Sequence, residues 1–285
     1  MTEFIQGHEV AIRLSFFLGV FAVMAGWELL APRRALAQSK AVRWYANLGI
    51  VVLNTVLARM VFPLAPVAVA MVAAGRGWGV FNIADVPPGV AIVAAVVILD
   101  FAIYIQHVMV HAVPMLWRLH RMHHADLDFD VTTGARFHPV EIILSVAIKM
   151  AVIVLIGAPV AAVVIFEVVL NATAMFNHSN VALPLSLDRV LRLFVVTPDM
   201  HRVHHSELPH ETNSNFGFNL PWWDRLFGTY RDQPENGHEG MTIGIEQFRE
   251  PAELHLHKML VQPFMGETGA YPINRRDGEK ANQRD

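Results

Sequence analysis

Histidine is concentrated in one stretch of this sequence, at spacings that suit metal binding. Ten of the fifteen histidines lie between residues 107 and 205. Neutral imidazole suits zinc, copper or iron, whereas magnesium and calcium prefer oxygen ligands. The chain has no cysteine, which excludes iron–sulfur clusters, thiolate-ligated haem and cysteine-type zinc sites. The ten candidate ligands are His107, His111, His120, His123, His124, His138, His178, His201, His204 and His205.

Helical spacing brings eight of these rings into groups. His107 and His111 are four residues apart, so on a helix their Cβ atoms lie about 5–6 Å apart on one face. Residues 120–124 read HRMHH, and at 3.6 residues per turn the three imidazoles fall within an arc of about 100°. The same pattern returns at residues 201–205, which read HRVHH. Two copies of this motif beside an HxxxH pair predict a dinuclear metal site.

Two other functions could use histidines. A histidine-rich metal-storage or transport loop is defined by composition and needs no fixed helical offsets, so it explains the spacing less well. A membrane zinc hydrolase is the stronger alternative, but such enzymes normally carry HExxH on a helix. The His-Glu pairs at residues 8, 210 and 238 do not complete that motif. The ligands alone do not select the metal.

The elements that carry these motifs are apolar enough for a membrane. Hydrophobic residues make up 54% of the chain, and the mean hydropathy is +0.38. A spanning helix needs about 20 apolar residues. Apolar runs occur at residues 10–30, 47–73, 89–110, 140–156 and 160–176. The sequence therefore predicts an all-α, integral-membrane bundle of four to five helices or half-helices.

Charge indicates the orientation of the bundle. Four basic residues lie between the first two runs, at positions 33–43, and the positive-inside rule places that loop in the cytoplasm. The third run then descends to the first histidines, so residues 111–138 are expected in a cytoplasmic helical cap. Residues 157–159 (Gly-Ala-Pro) break the last apolar stretch into a hairpin that returns to the same side. A net charge of -3 without a basic run excludes a nucleic-acid partner.

Polar stripes on two apolar helices indicate candidate catalytic residues. Offsets of 0, 4, 7 and 11 place Asp100 and Tyr104 on the helical face of His107, and Glu167 and Asn171 on the face of His178. An ionisable group inside a membrane usually faces protein or a wet cavity and indicates function. The alternatives are pairing of Asp100 with Arg59 and hydrogen bonds between helices. The predicted catalytic residues are Asp100, Tyr104, Glu167 and Asn171.

Carboxylates flank the ligands and could accept the second ring proton of a coordinating histidine, which fixes its tautomer. A solvated surface is the alternative for the same group. The residues concerned are Asp126, Asp128, Asp130, Asp199 and Glu207.

The three histidine motifs and the text around them resemble the fatty acid hydroxylase and sterol desaturase superfamily of membrane di-iron enzymes. The likeness extends over about residues 90–232. Its flanking segments are LWRLH at 116–120, RFHP at 136–139, FNH at 176–178, TPDMH at 197–201, NFGFN at 215–219 and WDRLFG at 223–228.

The resemblance implies that the eight motif histidines ligate two irons, with His138 and His178 as additional ligands and zinc able to replace iron on purification. It also implies O2 as co-substrate and a lipid substrate taken from the bilayer, which is hydroxylated, desaturated or cleaved at an ether bond. Some relatives carry a haem domain marked by His-Pro-Gly-Gly, but His138-Pro139 continues with Val140-Glu141. A separate electron-transfer protein is therefore expected.

Three segments are expected: N-terminal membrane anchor helices over residues 1–88, a catalytic domain over 89–232 and a polar C-terminal tail over 233–285. Together the residues and the resemblance predict a multi-pass membrane oxidoreductase that uses O2 and external reductant to hydroxylate or desaturate a lipid. Its active site is expected on the cytoplasmic side.

Overall fold

The structure, a computed structural model, describes residues 2–274. Within this range the chain forms helices and loops, with two isolated β-bridges and no β-strand. The helices are α1 (Thr2–Leu30), α2 (Lys40–Val61), α3 (Pro66–Arg76), α4 (Val80–Ile83), α5 (Pro88–Ala112), α6 (Pro114–His124), α7 (Pro139–Ile156), α8 (Val160–Asn177), α9 (Leu185–Leu191), α10 (Pro198–His204), α11 (Pro209–Thr212), α12 (Trp222–Phe227), α13 (Gly237–Gly240) and α14 (Leu256–Met259). Short 3-10 turns lie at Thr133–Ala135, Pro251–Leu254 and Gln262–Phe264.

Five segments of the described chain are long and apolar enough to cross a membrane. They are Gly7–Leu30, Lys40–Ile83, Pro88–Ala112, Pro139–Ile156 and Val160–Asn177. Their outward faces carry large apolar side chains that a water-soluble protein would cover, such as Val23, Leu29 and Ile83, which are 64–79% exposed. The expected all-α membrane bundle is confirmed.

The second of these segments is two helices. Helix α2 ends at Val61, and α3 begins with Pro66 at its first helical position. Proline lacks the N–H that would continue the hydrogen-bond ladder, so Pro63 and Pro66 separate the two helices. The chain then turns through α4 and enters α5.

The bundle core is built mainly from α5, α7 and α8, with α3 packed against it. Its buried side chains include Ala95 and Leu99 of α5, Ile153 of α7, and Val163 and Phe166 of α8. Helix α1 packs along α8, and α2 packs on α7. Small residues at such contacts let helix backbones approach closely where lipid supplies no hydrophobic driving force.

Helices α7 and α8 form the expected hairpin. Gly157 ends α7 with φ 67°, a left-handed conformation that glycine adopts without strain. A Cβ added at Gly79 would lie 2.0 Å from the Gly157 backbone nitrogen, so the α3–α4 loop approaches the hairpin turn closely. This contact fixes the end of the hairpin that is remote from His138 and His178.

The basic α1–α2 loop lies at the same end of the bundle as the histidine motifs. Arg33 pairs with Asp199, at 3.3 Å. The backbone N–H groups of Ala37 and Gln38 donate to Asp128, at 2.9 and 2.6 Å. The loop whose charge predicts a cytoplasmic position is therefore part of the layer that carries the histidines.

The chain after α12 also packs onto this layer. Met241 and Ile243 cluster with Phe129, whereas Tyr271 stacks on Trp117. Residues up to 274 thus cover the histidine motifs, although sequence analysis expects a polar tail from residue 233. The three segment boundaries stay predictions, and positions 275–285 of the tail lie outside the described residues.

Candidate metal centre

Nine histidines form two buried clusters at this end of the bundle. In each cluster one ring nitrogen from every histidine lies within 4.8 Å of the others. The first cluster is His107, His111, His120, His124 and His204. The second cluster is His123, His178, His201 and His205. All nine side chains are at most 6% exposed. Two adjacent groups of four to five imidazoles can hold two transition-metal ions.

Each HxxHH motif supplies both clusters. Helix α6 directs His120 and His124 into the first cluster and His123 into the second. Helix α10 and its C-terminal cap do the reverse, with His201 and His205 in the second cluster and His204 in the first. The first and last positions of the motif lie one turn apart and face one group, while the fourth position faces the other. Helix α5 adds His107 and His111 to the first cluster, and the C-cap of α8 adds His178 to the second.

Backbone carbonyl groups orient three of the rings. A carbonyl only accepts, so Nδ1 of each ring is the donor and Nε2 keeps a free lone pair. The bonds run from His107 to Phe216 (2.8 Å), from His178 to Ala174 (2.8 Å) and from His204 to Ser214 (2.7 Å).

Two side chains outside the histidine motifs orient two further rings of the first cluster. The Nδ1 of His120 donates to Oε1 of Glu141 at 2.6 Å, and that of His111 donates to Oδ1 of Asn213 at 3.1 Å. Sequence analysis did not select Glu141 or Asn213. One sequence feature could have indicated Glu141: it is a carboxylate in the first turn of the largely apolar helix α7, and ionisable groups in such helices often have a function.

The Nε2 atoms that keep a free lone pair lie at distances from one another that fit a shared ion. Nε2 of His178 lies 3.2 Å from Nε2 of His123 and 3.1 Å from Nε2 of His201. Two nitrogens bound to one ion at about 2.1 Å are separated by roughly 3.0–3.4 Å in octahedral or tetrahedral geometry. Nε2 of His107 and His204 has no hydrogen-bond partner among the described residues. The donor set therefore fits two metal ions.

Burial favours the neutral form of several cluster histidines. It lowers the pKa of His123, His124 and His205 well below 6.5, and neighbouring imidazoles lower it further. Burial likewise lowers the pKa of His178 to about 3. Only the neutral ring offers a lone pair to a metal. Burial thus prepares these side chains as ligands.

The acidic residues after the first motif contact arginine and backbone groups. Asp126 accepts two hydrogen bonds from the buried Arg43, at 2.7 and 2.9 Å, and Asp130 accepts one at 2.5 Å. Burial alone would raise the pKa of Asp126, but Arg43 and Arg136 lower it to about 2.

The expectation that the flanking carboxylates accept protons from cluster histidines is wrong. Asp128 binds the α1–α2 loop, Asp199 pairs with Arg202, and Glu207 lies 3.8 Å from Arg249. The alternative of a solvated surface fails as well for Asp126, Asp128, Asp130 and Asp199, which are buried. Arginines from distant segments neutralise several of them, and sequence offsets do not reveal such contacts.

A buried aspartate holds the loop that carries the acceptor for His107. Asp224 of α12 accepts hydrogen bonds from the backbone N–H groups of Phe216 and Gly217, at 2.7 and 2.8 Å. Burial raises the pKa of Asp224 to about 6. Through the Phe216 carbonyl, this contact positions the His107 ring.

The structure does not bring His138 to either cluster. Its Nδ1 accepts the backbone N–H of Val140 at 3.3 Å, so His138 caps the start of α7. Its Nε2 lies 3.4 Å from the carbonyl oxygen of Leu260. Both ring nitrogens of His138 thus contact backbone groups at the start of α7 and at Leu260, and these contacts hold the ring away from the clusters. His178, the other isolated histidine, lies in the second cluster.

Asp100 and Tyr104 face α12 and the loop after it. Oδ2 of Asp100 accepts a hydrogen bond from Nε1 of Trp223 at 2.7 Å. The Tyr104 hydroxyl lies 3.1 Å from Thr229 Oγ1, and its ring stacks on Phe227. The alternative partner of Asp100, Arg59, is exposed elsewhere on α2. Both side chains thus tie α5 to the segment that follows the second histidine motif.

Glu167 and Asn171 lie on α8 and make local contacts. Glu167 pairs with Lys149 of α7 at 2.8 Å and with Arg13 of α1 at 3.2 Å. The Asn171 amide donates to the Glu167 carbonyl one turn earlier, at 2.7 Å. In this structure Glu167 joins three helices. The catalytic role of these residues stays a prediction.

Residues 92–229 match the fatty acid hydroxylase family. Ornithine lipid hydroxylase of Rhizobium tropici is 32% identical over 148 residues, which are 52% of this chain and 44% of that protein. Human alkylglycerol monooxygenase is 30% identical over 161 residues, which are 56% of this chain and 35% of that protein.

A fatty acid hydroxylase of Lecanicillium sp. is 26% identical over 172 residues, which are 55% of this chain and 47% of that protein. The chain spans less than half the length of each of these three relatives. No solved structure matches it.

Proposed function

We propose that this membrane protein is a di-iron oxygenase that hydroxylates or desaturates a lipid, a proposal supported by the match of residues 92–229 to the fatty acid hydroxylase family. The observation that carries the proposal is the pair of buried histidine clusters at one end of an apolar bundle. Two irons, when bound there, would supply the electrons and the redox chemistry that activate O2 toward an unactivated C–H bond.

The protein's own residues prepare this site. The carbonyl groups of Ala174, Ser214 and Phe216 fix the tautomers of their histidines, so that each Nε2 faces the cluster interior. Glu141 and Asn213 do the same for His120 and His111. Such partners hold a ligating ring in place and raise its basicity. The chain thereby sets ligand geometry before any ion arrives.

The active site is proposed to face the cytoplasm. The basic loop at residues 33–43 is bound to the histidine-bearing layer through Arg33–Asp199 and through the backbone of Ala37 and Gln38. Short basic loops are retained on the cytoplasmic side. Electrons from a soluble or membrane-bound carrier protein would then reach the clusters from that side.

The substrate is proposed to be a lipid that enters from the bilayer. Three relatives are named as hydroxylases or monooxygenases of ornithine lipid, alkylglycerol and fatty acid, so hydroxylation, desaturation and ether cleavage are all compatible with the domain. Hydroxylation consumes one O2, two electrons and two protons per C–H bond and yields water and an alcohol. An external reductant is therefore required.

Metal analysis and oxygen consumption test the proposal together. The detergent-purified protein is expected to contain iron and to consume O2 only when reductant and lipid are both present. Lipid profiles of cells with and without the gene should differ in one hydroxylated or desaturated species. Turnover without O2 would instead identify a zinc hydrolase, and metal movement across vesicles would identify a transporter.

Replacing Glu141 by Gln is expected to weaken metal binding in the first cluster about 10–100-fold, because the amide accepts the His120 proton less strongly than a carboxylate does. The check is metal titration of the purified variant by equilibrium dialysis. Glu250→Gln, at an exposed position, is the matched control. Equal affinity in both variants would remove Glu141 from the metal site.

Asp100→Asn is expected to lower turnover more than it lowers metal content, since Asp100 lies about two to three helical turns from His107 and His111 and contacts Trp223 and not the clusters. Trp223→Phe, which removes the hydrogen-bond donor, should reduce turnover in the same direction. Steady-state kinetics and metal analysis on the same samples separate the two effects. Loss of both metals from Asp100→Asn would contradict this assignment.

A further inference from the structure

A third group of metal-ligating side chains lies outside both histidine clusters. His210, Glu211 and Glu235 each place one ligand atom within 4.8 Å of the others. Nε2 of His210 is 3.3 Å from Oε2 of Glu235. The side chains of His210 and Glu235 are 50% and 65% exposed, so a cation could reach them from water.

Glu211 is the buried member of this group and lacks a counter-charge. The residue is fully buried, and its Oε1 accepts the backbone N–H of Glu235 at 2.5 Å. Its Oε2 has no hydrogen-bond partner within residues 2–274. The only ion pair formed by either glutamate in that range is the one between Glu235 and His210. A buried carboxylate that is neither paired nor fully hydrogen-bonded is costly, and a cation would remove the cost.

We infer that His210, Glu211 and Glu235 bind a divalent transition-metal cation, with zinc as the representative ion. Imidazole nitrogen and carboxylate oxygen both ligate zinc, so these side chains can supply three protein ligands, and water takes the fourth position. With bonds of about 2.1 Å, tetrahedral ligand atoms are separated by about 3.4 Å. The 3.3 Å between His210 and Glu235 matches that separation, and two carboxylates balance a charge of +2.

The site would join two distant segments of the cap. Glu235 lies 24 residues after Glu211, and the cation would cross-link it to α11. The loop after α11 is tied to the first histidine cluster: the Glu211 carbonyl accepts from Ser214, and the Ser214 carbonyl accepts from His204. Asn213 of the same loop orients His111. A cation at this position would therefore rigidify the acceptors of two cluster histidines.

The test uses equilibrium dialysis of the full-length protein, with metal in the histidine clusters as purified and zinc alone as the probe. The wild type is expected to bind one zinc ion per chain more than His210→Ala or Glu235→Gln. Both changes are at exposed positions and leave all nine cluster histidines in place, so the difference reports only this site. His257→Ala and Glu250→Gln are matched exposed controls that should bind as the wild type does.

Micromolar zinc should also raise the thermal unfolding midpoint of the wild type and of the controls, but not that of the two site variants, because an ion that binds only the folded state stabilises it. Equal zinc uptake by the wild type and the site variants would overturn the inference. Uptake that saturates only at millimolar zinc would overturn it too, as an adventitious ion. Failure of the oxygenase assay would leave this comparison unaffected, so the two proposals fail separately.

Discussion

His123→Ala and His124→Ala are each expected to lower O2-dependent turnover below about 1% of wild type, since loss even of an outer partner of a ligand already costs 10–100-fold. The two residues are neighbours in sequence but belong to different clusters. Each change should therefore reduce the metal bound by one cluster and leave the other ion in place. Metal content per chain and turnover, measured on the same preparation, check this result. His204→Ala and His205→Ala form the corresponding pair on α10.

Two control histidines separate ligand loss from general damage. His257→Ala removes an exposed ring that belongs to neither cluster, whereas His138→Ala removes the ring that caps α7 and also lies in neither cluster. Both should keep two metals per chain. Membrane insertion should survive in every variant, because spanning helices insert according to their hydropathy. Full activity in any two of the cluster variants would refute the ligand assignment.

Arg43→Met is expected to destabilise the protein by about 3–5 kcal/mol, the usual cost of removing one partner from a buried ion pair. Arg43 is fully buried and holds Asp126 and Asp130, which directly follow the first HxxHH motif. Two carboxylates would then remain buried without their main counter-charge. Thermal unfolding in detergent measures the change. Arg59→Met, at an exposed position of the same helix, is the matched control, and an equal midpoint for the two variants would contradict the prediction.

The same ion pair predicts an acid limit for stability. The folded protein holds the pKa of Asp126 at about 2, below its ordinary value of 3.8. A group whose folded pKa is lowered stabilises the fold fully above its unfolded pKa, and the contribution disappears as pH falls through the folded value. The Arg43 contribution should therefore fade between about pH 4 and pH 2. Wild type and Arg43→Met should converge in stability over that interval.

The sequence was sufficient to predict what depends on local periodicity. Apolar length predicted the spanning helices, and the spacing within 120–124 and 201–205 predicted that rings would gather in groups. A helical wheel, however, places the three rings of one motif on a single arc. Only the folded structure reveals that the fourth position of each motif belongs to the opposite cluster.

Contacts between distant segments could not be predicted from spacing. Glu141 lies 21 residues from His120, and Asn213 lies 102 residues from His111. Carboxylates close to the motifs were more conspicuous, yet Asp126 and Asp130 bind Arg43, more than 80 residues away. The position of His138 could not be predicted from spacing either, since a single histidine has no periodic partner to indicate whether it caps a helix or binds metal.

The interleaved motifs also set an order for maturation during protein synthesis. With the ligands proposed here, four of the five histidines of the first cluster exist once the ribosome has passed residue 124, whereas the second cluster has only two of its four until residue 201 is made. The first cluster can therefore capture an ion earlier in translation than the second. We expect iron-starved cells to accumulate chains loaded only at the first cluster, an inactive pool that later iron supply could convert to active enzyme without new synthesis.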